Sequence, residues 1–74
     1  MIVSGIVIKD VCRLTPSYVD GALHISFRAD RHVEHVDIRR IQEICEKYTG
    51  PYQDQADALA AMHRVAQDIG GLGI

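Results

Sequence analysis

"ALHISFRAD", Ala22–Asp30, alternates apolar and polar residues along its whole length. Leu23, Ile25, Phe27 and Ala29 fall on one side, His24, Ser26, Arg28 and Asp30 on the other. A period of two marks a strand with one buried and one wet face, because successive side chains leave a pleated backbone in opposite directions. The stretch therefore predicts a half-buried antiparallel strand and calls for a second layer to cover its apolar side.

Upstream, "IVSGIVIKDVCRL", Ile2–Leu14, is rich in β-branched residues and holds no helix cap, so it reads as a first strand. It is apolar at both parities, with Ile2, Ile6, Ile8, Cys12 and Leu14 on one side and Val3, Val7 and Val11 on the other. A strand of that kind is normally covered on both faces. "TPSYVDG", Thr15–Gly21, gathers Pro16, Ser17, Asp20 and Gly21 and is predicted to be the turn between the two strands.

Downstream, "DRHVEHVDIRR", Asp30–Arg40, is dense in charge. "HVEHV" is expected to prolong the sheet, as the end of the second strand or as a short third one. Asp37 is expected to cap a helix whose apolar stripe is Ile38, Ile41, Ile44, Cys45 and Tyr48. Gly50 and Pro51 stop that helix. A second helix begins at Asp54, carries Ala58, Leu59, Met62, Val65, Ala66 and Ile69 inward, and closes at Gly70; residues 70–74 read as a frayed tail. The predicted fold class is α+β. A small antiparallel sheet of two or three strands carries two C-terminal helices on one face, in the order β-β-(β)-α-α, and residues 1–74 form one domain.

At 74 residues the chain is near the lower limit for folding alone, although 47% apolar residues supply enough burial to disfavour disorder. The net charge of −2 argues against a strongly basic nucleic-acid binder. The apolar start reaches Lys9 and Asp10 too soon for a membrane span of about 20 residues and has no basic region before it. The expectation is a cytoplasmic protein without membrane contact, in which Cys12 and Cys45 are buried, reduced thiols.

Catalytic and metal chemistry find little support. On a strand, His32 and His35 would point to opposite faces and could not chelate together. Cys45 falls on a core stripe, where burial blunts a thiol. The serines lack a nucleophile motif, and the Asp54/Asp57 and Glu43/Glu46 pairs read as caps or solvated faces. We therefore expect no catalytic residue, no metal and no cofactor.

The doubly apolar first strand directs the functional expectation to association. The leading expectation is a non-enzymatic protein-interaction module that binds and modulates or inhibits a larger protein target, and that also forms a homodimer. Val3, Val7, Val11 and Tyr18 would supply its apolar surface, and Arg28, Arg31, Arg39 and Arg40 a charged edge. Small acidic domains of this build occur among phage and mobile-element accessory factors, an association of composition alone. The alternative is a small nucleic-acid-binding regulator using the arginine patch within residues 28–40. Arg39 and Arg40 stand out there, because a helix N-terminus is an unfavourable place for cations.

Overall fold

The structure is a computed structural model that describes residues 5–74. Its elements follow in the order β1 (Ile6–Ile8), β2 (Cys12–Val19), β3 (Ala22–Ala29), α1 (His35–Tyr48), β4 (Gly50–Pro51) and α2 (Gln55–Gly70). The strands form one four-stranded antiparallel sheet in the order β1-β2-β3-β4. The α+β class is as expected, but the sheet is larger than two or three strands. Two strands are added: the predicted first strand divides into β1 and β2, and Gly50 and Pro51, besides ending α1, pair with Leu23 and Ala22.

The sheet is organised by the β2–β3 hairpin. Its loop is Asp20 and Gly21 alone, with φ of 54° and 77°, and Val19 pairs directly with Ala22. Two positive φ angles in a two-residue loop match the right-handed twist of the flanking strands, and Asp-Gly meets that demand. The predicted seven-residue turn thus shrinks to two residues, and Thr15–Val19 belong to β2. Pro16 fits inside the strand for a definable reason. The Asp30 N–H donates to the Val11 carbonyl at 2.8 Å, so the odd-numbered residues of β2 carry the bonds to β3. Pro16 is even-numbered, and its missing N–H costs that ladder nothing.

The long first strand is likewise two. Val11 N–H donates to the Ile8 carbonyl at 3.0 Å, closing a turn in which Asp10 takes φ 62°. The chain reverses there and drives Val11 into the core, where it is 6% exposed. Val11 therefore does not join Val7 on the second sheet face.

Ile6, Ile8, Leu14, Leu23, Ile25 and Phe27 line the inner face, with α1 packed on β3 and α2 on β1 and β2. Ile41 and Cys45 from α1, and Ala58, Ala61, Met62, Val65 and Ile69 from α2, complete a core that contains no buried polar residue among the described residues. Asp54 caps α2 by accepting the Asp57 N–H at 2.9 Å, as expected. On α1 the cap falls earlier than expected. Glu34 holds the N-cap position without a side-chain bond, and Asp37 lies in the first turn and accepts from Arg40 at 2.9 Å. "HVEHV" is accordingly not a strand: His32 lies in a turn and His35 opens the helix. Beyond Gly70, which is helical, Leu72 packs against the core.

All three tyrosines join these layers. Tyr18 on β2 donates its hydroxyl to the Tyr52 carbonyl at 2.7 Å, and Tyr52 donates to the Tyr48 carbonyl at 2.7 Å. Tyr48 in turn donates to Asp68 Oδ2 at 2.9 Å. The chain of bonds runs from the hairpin through the segment after β4 to both helices.

Candidate functional site

With both helices on one side, the other side of the sheet is left open by the described residues. The register decides what it displays: Val7 beside Arg13 beside Arg28, then Thr15 beside Ser26, Ser17 beside His24, and Val19 beside Ala22. Apart from Val7 at one end and Val19 with Ala22 at the other, this surface is polar. Of the three valines expected on this face, Val7 is exposed on it. Val11 is in the core, and Val3 lies outside the described residues.

Arg13 and Arg28 are direct cross-strand neighbours, an arrangement that is destabilising for like charges. They share an open concavity of about 500 Å³ at that end of the sheet, lined also by Lys9, Arg31, Asp10 and Asp30. Among the described residues the only ion pair is Arg40–Asp37, so none of these four cations is neutralised by a close carboxylate. The chain's acids otherwise lie away from this concavity, at the hairpin tip (Asp20), before and on α1 (Glu34, Asp37, Glu43, Glu46) and before and on α2 (Asp54, Asp57, Asp68). A chain of net −2 thus gathers four cations against two carboxylates, Asp10 and Asp30, at one end of its open face.

The predicted arginine patch is split. Arg28 and Arg31 meet at the concavity, whereas Arg39 and Arg40 sit on α1, with Arg40 held by Asp37. Lys9 and Arg13 complete the cluster and were not singled out in the sequence. The Asp-Gly hairpin loop was the signal available for them, because once Val19 faces Ala22, Arg13 must face Arg28. Tyr18 is on the inner face with its hydroxyl committed to Tyr52, so it is no protruding anchor.

The thiols are placed for structure. Cys12 faces Ala29 on β3 and Cys45 lies in the core stripe of α1. Burial, followed by the nearby Cys12 and Glu46, pushes the Cys45 thiol up to about 11, and burial with Asp30 raises Cys12. Neither is an activated nucleophile at neutral pH. Among the described residues no three His, Cys, Asp or Glu side chains converge as metal ligands. No helix among the described residues is long and apolar enough to cross a membrane. No protein family, curated protein or solved structure matches the chain.

Proposed function

We propose that this protein is a small non-enzymatic binding module whose open sheet face docks on the phosphate backbone of a nucleic acid. The observation that carries the reading is the Arg13–Arg28 cross-strand pair, two unneutralised guanidinium groups facing one concavity with Lys9 and Arg31. A like-charge pair at a hydrogen-bonded site costs stability unless an anion bridges it, and guanidinium groups suit phosphate oxygens. Thr15, Ser17 and Ser26 on the same face offer small hydroxyl donors for phosphate oxygens. For a protein target the described apolar support is Val7, since Val11 is buried and Tyr18 packs against the core.

Fluorescence anisotropy with labelled duplex DNA and single-stranded RNA tests the proposal. Four phosphate contacts on a duplex imply a loss of affinity of about 100-fold between about 50 and 200 mM salt. Arg13→Glu with Arg28→Glu should abolish binding. Arg39→Glu with Arg40→Glu should leave it nearly intact, because those residues lie on α1. Absence of saturable binding to either nucleic acid at low salt would overturn the proposal.

A further inference from the structure

β3 has one edge that the chain does not finish. Its even-numbered residues bond to β2, so Ile25, Phe27 and Ala29 direct their N–H and C=O groups the other way. On that side β4 reaches only Ala22 and Leu23. Among the described residues no other hydrogen bond engages the backbone of Ile25, Phe27 or Ala29 on this side. Three of the usual devices against edge pairing are missing as well. His24–Ala29 contains no proline or lysine, and its register with β2 has no bulge.

We propose that this edge is a self-association site, where a second copy of the chain adds its β3 antiparallel about a two-fold axis through Phe27. The argument comes from comparing the registers open to such a pair. An axis at Phe27 sets Ile25 against Ala29 of the second copy and Phe27 against its counterpart, and all of these have unpaired backbone groups. On the open face the same register sets Ser26 against Arg28 and His24 against the Asp30 carboxylate, which can accept a hydrogen bond from the imidazole. An axis at Ser26 sets His24 against Arg28 and brings Ala29 to Leu23, whose edge Gly50 already occupies. An axis at Arg28 sets that residue against itself. An axis at Ile25 drives Phe27 onto the occupied Leu23. Only the Phe27 register uses free backbone groups and avoids like charges. The chain turns away after Ala29, where Val33 N–H returns to the Asp30 carbonyl, so the second copy leaves the edge before reaching Gly50. The assembled sheet would carry eight strands, with the Arg13–Arg28 rows of both copies on one continuous face.

Sedimentation velocity and light scattering of untagged protein, without nucleic acid, test this independently of the proposed binding function. The wild type should be a concentration-dependent dimer. Ala29→Pro removes one outward N–H but no bond to β2, the arrangement Pro16 already occupies, and should give a folded monomer by circular dichroism. His24→Asp, on the exposed face, should weaken the dimer about tenfold, and adding Asp30→Lys should restore it. A wild-type monomer at several hundred micromolar would overturn the proposal. So would a dimer indifferent to His24→Asp, whatever Ala29→Pro does to folding.

Discussion

Tyr18→Phe removes one oxygen atom and separates two views of this residue. In the structure its hydroxyl is half-buried and donates to the Tyr52 carbonyl at 2.7 Å, tying β2 to the segment after β4. A neutral hydrogen bond of this kind contributes about 1 kcal/mol net. Water can reach the abandoned carbonyl, so the larger penalty of a fully buried orphan does not apply. For a domain of this size the unfolding entropy converts about 1 kcal/mol into a fall in Tm of about 6 °C. Far-UV circular dichroism melts and urea titrations of the two proteins would measure it, with an unchanged m-value showing that the folded state is otherwise the same. Equal melting of Tyr18→Phe and wild type would refute the bond, and with it the view that Tyr18 serves the fold. A surface anchor would instead show unchanged stability and a weakened complex.

Three further outcomes follow from other parts of the fold. Ile41→Ala empties a fully buried position at a cost of about 2–5 kcal/mol, comparable with the about 3–5 kcal/mol a domain this small commands, so its one-dimensional proton spectrum should be largely that of an unfolded chain. Gly21→Ala meets no atom within 4 Å but must hold φ near 77°, so a purely conformational loss of about 1–2 kcal/mol should appear in urea titrations. The Asp68 hydrogen bond, then burial, raises the Tyr48 phenol above its ordinary value. A raised folded value means that this contribution is complete below the unfolded tyrosine value of about 10 and is lost as pH climbs through the folded one. Alkaline unfolding should therefore begin later in Tyr48→Phe relative to its own neutral stability, and an identical alkaline profile would contradict the assignment.

The legible parts of the fold were those governed by one local rule. Alternation from Leu23 to Ala29 identified β3 and its buried side, and helical spacing identified Ile41, Cys45, Met62, Val65 and Ile69 as core. Asp54 announced the second helix because a side-chain acceptor before an apolar run has few other uses. Competing rules explain the misreadings. Pro16 and Ser17 resemble turn residues, but a proline whose nitrogen points away from the neighbouring strand is compatible with β structure. Apolar residues at both parities in Ile2–Leu14 suggested a strand buried on two faces, whereas among the described residues a turn at Asp10 resets the alternation and sends Val11 inward. The basic cluster was hidden because Lys9 and Arg13 are distant in sequence from Arg28 and Arg31. Only pairing brings them together, and pairing depends on reading Asp20–Gly21 as the whole loop.

The position of β4 has a kinetic consequence. β1, β2 and β3 are joined by two short loops, so their pairing closes little chain and proceeds early. Gly50 and Pro51 are separated from β3 by the whole of α1, so their pairing with Leu23 and Ala22 is expected to follow the formation of that helix. The tyrosine chain through Tyr52 then locks at the end of folding, slowing escape from the native state while contributing little to the rate of reaching it. High φ-values at the β2–β3 hairpin and values near zero at Tyr18 and Tyr52 hydroxyl deletions would record that order, and the reverse distribution would exclude it.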